Sequence, residues 1–187
     1  WDAVRLLMDS PRGKEAMSVA DSQGSTPLMK AIQHSAPKDI RQRVLETDSV
    51  DVNAVDIPRN GAIHAAVTTD RLEIFEAILA HPKVKIDLPG QYGRTALHLA
   101  LDKQYDAMTE RLLGKGASLT QGDHEGHNAL YHAAGNGSCR LVRDILSLGR
   151  EHGLALDIDK ALTAATSQGR KDVAELLLAE GADVNNT

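Results

Sequence analysis

The stretch GRTALHLALDKQYDAMTERLLGKGA, residues 93–117, decides the fold of this chain. Its leucines and its methionine have helical spacing, but the polar residues 102–106 separate Leu101 from Met108. One continuous amphipathic helix would carry a single apolar stripe. The stretch therefore predicts two short helices joined by a tight turn. Two such helices cannot bury both of their apolar faces alone, so the sequence also predicts neighbouring elements.

The composition is that of a globular protein with few aromatic side chains. Of the 187 residues, 42% are hydrophobic and 25% are charged, but only 3% are aromatic. Since a single large core normally uses bulky rings, this composition predicts a thin core between closely approaching helices. A net charge of −5 without a long cluster of Lys and Arg argues against nucleic acid as a partner. No apolar run is long enough for a membrane helix, so direct membrane insertion is not expected.

The number of cysteines and the first residues of the chain indicate the cellular compartment. Cys139 is the only cysteine, which excludes an internal disulfide and favours a reducing compartment. Residues 1–4 lack the basic start and the apolar stretch of a secretory signal. We therefore expect an intracellular protein, cytoplasmic or nuclear. Cys139 stands where the pattern described next is usually apolar, which predicts a buried, unreactive thiol.

A pattern of about 34 residues recurs along the chain. The recurring segments are STPLMKAI at 25–32, NGAIHAAV at 60–67, RTALHLAL at 94–101, HNALYHAA at 127–134 and DKALTAAT at 159–166. In each segment an alanine follows the central Leu or Ile by three residues. Four of them are followed by clear second helical patterns, at 72–80, 105–113, 139–146 and 171–179. Each unit therefore predicts a turn, a short helix, a second turn, a longer helix and a loop.

Capping residues mark the ends of these helices. The side-chain oxygens that can accept backbone N–H bonds at a helix start belong to Thr26, Thr95, Asn128 and Asp159. Glycines that suit a turn with positive φ precede three of the starts, at Gly24, Gly93 and Gly126. Glycines that suit a left-handed helix end follow two of the second helices, at Gly116 and Gly181.

The pattern resembles the ankyrin repeat at the residues that carry its TPLHxAA…G…VxxLLxxGADVN signature, from about Ala16 to Asn185. The resemblance implies an all-α fold, a solenoid of stacked antiparallel helix pairs with protruding turns or β-hairpin loops. It also implies that His64 and His98 tie a helix start to the backbone of the adjoining turn, a structural role. Residues 1–15 are expected to hold the end of a preceding partial repeat and a long loop over 9–15. The ankyrin domain is expected over 16–187, with repeats at 21–53, 56–87, 90–119, 123–153 and 155–187.

The pattern departs from the family at two turns. The segment PRNG, residues 58–61, lacks the turn glycine and has Gly61 in place of the capping threonine. Residues 149–159 have lost the turn signature altogether. We expect an irregular start in the first case and a distorted or missing hairpin tip in the second.

Residues that could carry chemistry are few. His124, Glu125 and His127 lie together with His132 nearby, but HEGH is one residue short of the helical HExxH spacing of zinc sites. A zinc site needs three or four converging ligands, so turn-tip residues available to a partner are the better interpretation. GNGSC, at 135–139, follows no strand and does not predict a phosphate-binding loop. We expect no cofactor, no metal and no catalysis.

The leading functional hypothesis is a non-catalytic module that binds another protein or a peptide on the concave face and turn tips of the array. The alternative is a regulatory or targeting segment of a larger enzyme or channel chain, with another domain of that chain as the partner. No signature of a small-molecule pocket is visible. Tyr92 and Arg94 are the favoured anchors, because Tyr and Arg are enriched at binding hot spots. The candidate partner-binding residues are Gln23, Ser25, Gln33, His34, Arg59, Thr68, Thr69, Tyr92, Arg94, Asp102, Lys103, His124, Glu125, His127 and Asn136.

Overall fold

The computed structural model describes residues 8–47 and 50–183. The fold is all-helical, as predicted; the described residues contain no strand, and only an isolated β-bridge joins Val55 to Gly61. The predicted end of a preceding helix, over residues 3–7, lies outside the described residues. The helices are α1 (Pro11–Ala16), α2 (Pro27–Gln33), α3 (Lys38–Leu45), α4 (Ala62–Thr68), α5 (Leu72–Leu79), α6 (Ala96–Asp102), α7 (Asp106–Gly114), α8 (Ala129–Asn136), α9 (Cys139–Glu151), α10 (Ile158–Ser167) and α11 (Lys171–Ala179).

The chain divides into two compact units, Trp1–Gln91 and Tyr92–Thr187, and a 3-10 turn spans Gln91–Gly93. In the first unit α2 packs on α3 and α4 packs on α5. In the second unit the pairs are α6 with α7, α8 with α9, and α10 with α11. Each predicted repeat range contains one such pair; the repeat boundaries themselves stay predictions.

Buried alanines allow the first helices of neighbouring pairs to pack side by side. In the first unit α2 packs on α4, and in the second α8 packs on both α6 and α10. The alanines that follow the central Leu or Ile are all buried, at Ala31, Ala66, Ala100, Ala133 and Ala165. A small side chain at this position leaves room for the neighbouring helix, so these helices can approach closely.

The helix starts confirm most of the predicted caps. The side chains of Thr26, Thr95 and Asn128 accept the backbone N–H three residues ahead, at Met29, His98 and Tyr131. Two of the starts are also held by a histidine ring. His64 Nδ1 accepts the N–H of Gly61 at 3.0 Å, and His98 Nδ1 accepts the N–H of Thr95 at 3.1 Å. Both rings therefore have the structural role that the resemblance implied.

The predicted cap of α10 is wrong. Asp157, not Asp159, is the N-cap, and its Oδ1 accepts the N–H of Lys160 at 3.0 Å. Asp159 lies in the first turn of the helix, and its Oδ1 instead accepts the N–H of Asp183 at 2.8 Å. Two acidic residues two positions apart are both compatible with a helix start, and the earlier one is used.

Two other predictions are wrong. Residues 9–15 do not form a loop throughout, because α1 begins at Pro11. Ser10 Oγ accepts the N–H of Gly13 at 3.0 Å, and proline suits the first helical position. Cys139 is half-buried rather than buried, because it is the first residue of α9, directly after the N-cap Ser138.

The turns follow the glycine pattern where glycine is present. Gly24, Gly93 and Gly126 have φ of 74°, 74° and 78°, and Gly116 and Gly181 have φ of 79° and 97°. All five therefore have the predicted positive φ.

The irregular segments behave as expected. At residues 58–61, Arg59 takes the glycine's place with φ of 73°, and Gly61 is an N-cap without a side-chain bond. Further on, α9 continues to Glu151 and the N-cap Asp157 follows soon after. Too few residues remain for a hairpin tip. None of the described helices is both long enough and apolar enough to cross a membrane.

Candidate functional site

An aspartate builds the turn that opens the second pair of the second unit. Asp123 Oδ1 accepts the N–H of Glu125 at 2.9 Å and that of His127 at 3.0 Å. The backbone of Asp123 closes the same turn with Gly126 and His127. An aspartate that bonds its own backbone in this way stabilises a tight turn. The tip of the turn, His124 to Gly126, is held rigidly while it remains exposed.

The first unit builds its turns in the same way. Asp21 Oδ1 accepts the N–H groups of Gln23 and Ser25, and Asp56 Oδ1 accepts that of Asn60. Hydrogen bonds from the Lys30 ammonium and from the two backbone N–H groups lower the pKa of Asp21. The same turn, closed by an aspartate, therefore recurs along the chain. The carboxylates of these aspartates already accept backbone hydrogen bonds.

Neighbouring turn tips are joined by one backbone hydrogen bond within each unit. In the second unit, His124 N–H donates to the carbonyl oxygen of Tyr92 at 2.9 Å. In the first, Ile57 N–H donates to the carbonyl oxygen of Gln23 at 2.8 Å. Tyr92 has φ of 58°, and its side chain remains 66% exposed. The backbone of Tyr92 is thus fixed while its ring is available to a partner.

Beside this tip lies a group of interacting polar side chains, here called the polar cluster: Arg94, Asp102, Asp123, His132 and Asn136. Asp102 is at its centre. Its Oδ1 lies 2.8 Å from His132 Nδ1, and its Oδ2 lies 3.1 Å from Arg94 Nη1. Asn136 Nδ2 donates to the same Oδ1 at 3.5 Å. Asp102, the last residue of α6, is therefore hydrogen-bonded to side chains in the middle and at the end of α8.

The second carboxylate of the cluster faces two of the same groups. Asp123 Oδ2 lies 3.5 Å from His132 Nε2 and 3.9 Å from Arg94 Nε. Both nitrogens of the His132 ring therefore face a carboxylate. The cluster joins the turn at Asp123 to α6 and α8.

Opposing effects set the protonation of the two carboxylates. Burial disfavours their ionised forms. For Asp102, the hydrogen bond from His132, the charges of His132 and Arg94 and the bond from Asn136 outweigh burial, so its pKa is lowered. For Asp123, the N–H groups of His127 and Glu125 and the charges of His127 and His132 likewise keep its pKa below the usual value. Both remain carboxylates at neutral pH.

His98 lies beneath the cluster and behaves differently. Its ring centroid is 4.8 Å from that of His132, and its side chain is completely buried. Burial, and then the charge of His132, lower the pKa of His98 to about 4, although Asp123 and Asp102 act in the opposite direction. His98 is therefore neutral at pH 7, as its role as a hydrogen-bond acceptor from Thr95 requires.

An aromatic stack borders the cluster. The rings of His127 and Tyr131 are parallel within 4°, and their centroids are 3.6 Å apart. His127 Nδ1 also lies 3.2 Å from a carboxylate oxygen of Glu125 and 3.8 Å from Oδ1 of Asp123. Packing on one face and two carboxylates at the edge favour one orientation of the ring.

The structure places the candidate residues of the second unit in one region. Some of their side chains are exposed, and others are held by contacts with neighbouring side chains. Tyr92, His124 and Glu125 lie at joined turn tips, and Lys103 is exposed just after α6. Arg94, Asp102 and Asn136 are brought together in the polar cluster, and His127 stacks beside it.

In the first unit the candidates fall into two kinds of position. Gln23 and Arg59 are exposed at turn tips, but Ser25 is only 7% exposed. Others lie at the ends of first helices: Gln33 and Thr68 are the last residues of α2 and α4, and His34 and Thr69 are the C-caps that follow them. The hydroxyl groups of both threonines donate to the carbonyl oxygen of Ala65, which leaves them less available than the sequence suggested.

Asp123 and His132 are the two members of the polar cluster that the prediction of partner-binding positions left out. The role of Asp123 had a signal: Asp21, Asp56 and Asp123 recur five residues before a helix cap, the spacing of an aspartate turn. The role of His132 had none in the sequence, since its two carboxylates come from other elements. Within the part of the chain that the structure describes, no group of three or more His, Cys, Asp and Glu residues is arranged to hold a metal ion.

Comparison with known families and proteins accords with this geometry. A family profile described as Ankyrin repeats (3 copies) matches residues 42–123 and again residues 107–187. Human transient receptor potential cation channel subfamily A member 1 is 29% identical over 180 residues, which are 91% of this chain and 16% of the channel protein.

Two further relatives are similar over shorter ranges. The mouse B-cell lymphoma 3 protein homolog is 30% identical over 156 residues, 82% of this chain and 34% of that protein. Mouse neurogenic locus notch homolog protein 1 is 31% identical over 134 residues, 71% of this chain and 5% of that protein. The chain spans about a third or less of the length of each of these relatives.

Proposed function

Because the chain belongs to the ankyrin-repeat family, whose repeats are protein-interaction modules, we propose that it binds a partner protein or peptide through the second unit. The proposed surface consists of the joined turn tips at Tyr92 and His124–Gly126, together with the exposed edge of the polar cluster. The single observation that carries the proposal is the exposed Tyr92 ring on a backbone fixed by its bond to His124.

Rigid exposed aromatic side chains are favoured as binding anchors. Tyrosine buries a large area with few rotatable bonds, so little conformational entropy is lost when it docks. Here the adjoining turn is already closed by Asp123, and the cluster behind it is internally bonded. A partner would meet a surface organised before binding, which reduces the free-energy cost of association.

We propose that Arg94 contributes to binding through the surface that it organises. Its guanidinium is engaged by Asp102 and faces Asp123, so it organises the surface before any partner arrives. Replacing Arg94 would leave two carboxylates with one fewer donor, and the free energy of unfolding would fall along with affinity. Tyr92 is therefore the better residue for testing binding, because its replacement is expected to change affinity without changing stability.

Affinity capture with the 187-residue chain, followed by mass spectrometry, tests the proposal when variants are compared. We expect the wild type and Arg143→Ala, an exposed substitution on α9, to recover the same partner. Tyr92→Ala should lose it while unfolding at the same temperature as the wild type. Equal recovery by Tyr92→Ala and Arg143→Ala would place the binding site elsewhere.

A second proposal is that the chain regulates or targets a larger channel or enzyme chain. It is favoured by a relative that aligns with 91% of this chain, a cation channel subfamily member of which the chain spans 16%. In that case the captured partner would be another domain of the same protein. The sequence of the full-length protein distinguishes the two proposals, since the second requires a channel or enzyme domain beside this segment.

A further inference from the structure

His132 lies between two carboxylates that belong to different parts of the second unit. The residue is only 6% exposed. Its Nδ1 lies 2.8 Å from Oδ1 of Asp102, the last residue of α6, and its Nε2 lies 3.5 Å from Oδ2 of Asp123. Asp123 closes the turn whose tip, His124–Gly126, belongs to the proposed partner surface. One buried ring of α8 therefore connects that turn to α6.

The protonation state of the ring decides how many carboxylates it can bind. A neutral imidazole has one N–H donor, whereas an imidazolium has two. Because the contact with Asp102 is the shorter one, a neutral ring is expected to keep its proton on Nδ1. Nε2 is buried and faces the carboxylate of Asp123, so a neutral ring would present a lone pair to that carboxylate. Only the charged ring donates to Asp102 and Asp123 together.

The charge of the polar cluster leads to the same conclusion. Its two carboxylates are accompanied by one guanidinium, since Arg94 Nη1 lies 3.1 Å from Asp102 and Arg94 Nε lies 3.9 Å from Asp123. With a neutral His132 ring, one negative charge of this partly buried group is not compensated. An uncompensated buried charge is unfavourable. The imidazolium of His132 compensates it and is therefore the form that attaches the turn.

Other titratable groups face the ring from the neighbouring elements. The His98 ring of α6 is neutral at pH 7, and its centroid lies 4.8 Å from that of His132. The rings of His127 and Tyr131 lie edge-on to it at 6.3 and 5.8 Å. Among the described residues, no side chain of α9 or α10 forms an ion pair with the His132 ring. The charged residues of these two helices are Arg140, Arg143, Asp144, Arg150, Glu151, Asp159 and Lys160.

The first unit attaches a similar turn with a permanent cation. Lys30 and His132 each stand nine residues after the aspartate that closes a turn, Asp21 and Asp123 respectively. Lys30 Nζ lies 3.0 Å from Asp21 Oδ2. Lysine keeps its charge throughout the physiological pH range, whereas histidine changes charge within it. The same position in the repeat is therefore occupied by a permanent cation in one unit and by a titratable group in the other.

We propose that His132 is a pH-sensitive switch for the partner surface of the second unit. The imidazolium holds the turn of Asp123 against α6 and α8, and loss of its proton releases the turn and lowers the affinity for the partner. This inference rests on the proposed function, because the turn that the ring attaches carries part of the proposed surface. Protonation of a histidine acts as a switch where it changes the packing of an element with two arrangements.

Nuclear magnetic resonance on the free 187-residue chain tests the switch. The ring signals of His132 report its protonation, and the N–H of His124 reports the joined turn tips, because it donates to the carbonyl oxygen of Tyr92. As the pH rises between about 5 and 8, the protection of this N–H should fall with the midpoint of the His132 ring. The fall should be about threefold to tenfold, the factor expected for the loss of one hydrogen bond, after correction for the intrinsic pH dependence of exchange.

The first unit supplies an internal control. Ile57 N–H donates to the carbonyl oxygen of Gln23 in the equivalent junction, and the turn of Gln23 is attached by Lys30. The corrected protection of Ile57 N–H should stay constant over the same range. A His132 ring that keeps one protonation state, or a His124 N–H whose protection does not follow the ring, would overturn the proposal.

Variants separate His132 from its neighbour His127, whose Nδ1 lies 3.8 Å from Asp123 Oδ1. His132→Gln should remove the pH dependence of the N–H of residue 124, and His132→Lys should keep that N–H protected at every pH. His127→Gln should keep the pH dependence of the wild type. Retention of the pH dependence in His132→Gln with its loss in His127→Gln would refute the assignment. If His132→Gln does not fold, agreement of the two midpoints in the wild type decides.

Binding of the captured partner at several pH values completes the test. The affinity of the wild type should fall in the range where the His132 ring loses its proton, whereas that of His132→Lys should stay constant. Loss of the partner by Tyr92→Ala, together with wild-type affinity that does not change with pH, would refute the switch and keep the partner surface. Equal recovery by Tyr92→Ala and the wild type would instead refute the partner surface.

Discussion

Nδ1 of His132 lies 2.8 Å from Oδ1 of Asp102, although the two residues are thirty positions apart in the sequence. Because the pair is partly buried and joins α6 to α8, we expect it to couple the two helices energetically. A double-mutant cycle with Asp102→Ala and His132→Ala should give an interaction free energy of about 0.5–3 kcal/mol in denaturant unfolding. The exposed pair Lys171–Glu175 is the control and should give no more than about 0.5 kcal/mol. Equal coupling in both pairs would show that the polar cluster does not stabilise the unit.

The buried neutral histidine predicts a pH dependence of stability. The pKa of His98 is about 4 in the folded chain and about 6.5 in the unfolded one. Between these values only the unfolded state takes up a proton there, so the free energy of unfolding should fall as the pH falls from 6.5 to 4. The loss should be roughly 3 kcal/mol from this residue.

His98→Gln tests that assignment, because glutamine keeps an acceptor for the Thr95 N–H in a capping box and does not titrate. Denaturant unfolding at several pH values should show a flatter dependence for His98→Gln between pH 6.5 and 4. His152→Gln, an exposed histidine of the same unit, should keep the wild-type slope. An unchanged slope in His98→Gln would assign the pH dependence to other groups.

A charged substitution at a buried core position is expected to lower the free energy of unfolding far more than the same substitution at an exposed position. Leu97 and Leu130 are buried in first helices that pack side by side. Leu97→Asp or Leu130→Asp would bury a charge without a partner, and each should cost more than about 4 kcal/mol. Leu178→Asp, at a position that is 43% exposed, should cost far less. Circular dichroism during thermal unfolding is sufficient, and a Leu97→Asp variant that melts like the parent would contradict the core register.

Alanine substitutions at two glycines with similar φ separate the cost of a left-handed backbone conformation from the cost of steric crowding. Gly93 and Gly116 have φ of 74° and 79°, but a Cβ on Gly93 would lie 2.5 Å from Cδ2 of His124, whereas one on Gly116 would lie in open space. Gly116→Ala should cost about 1–2 kcal/mol for the left-handed conformation alone. Gly93→Ala should cost more, since the joined turn tips must also move apart. Equal losses in urea unfolding would mean that the contact between the tips is loose.

The repeating features of the fold were predictable because each depends on a local requirement. A cap such as Thr95 needs an acceptor, a turn such as that at Gly93 needs positive φ, and Ala100 needs to be small beside its neighbour. The choice between Asp157 and Asp159 as a cap was not predictable, because both offer the same acceptor near the helix start.

The candidate site was predictable only in part. Turn-tip exposure follows from the repeat, so the positions of Tyr92 and Glu125 could be expected. The contacts of Asp102 with His132 and Arg94 depend on how two helices are placed against each other, and no short sequence pattern encodes that.

We propose that a partner protein covers the joined turn tips of the second unit. Hydrogen–deuterium exchange on the 187-residue chain, measured with and without the captured partner, tests whether these tips are covered. We predict slower exchange in peptides that contain Tyr92–Arg94 and Asp123–His127, with little change in α9 and α11. Protection confined to α9 and α11, with the turn tips exchanging as in the free chain, would contradict the claim.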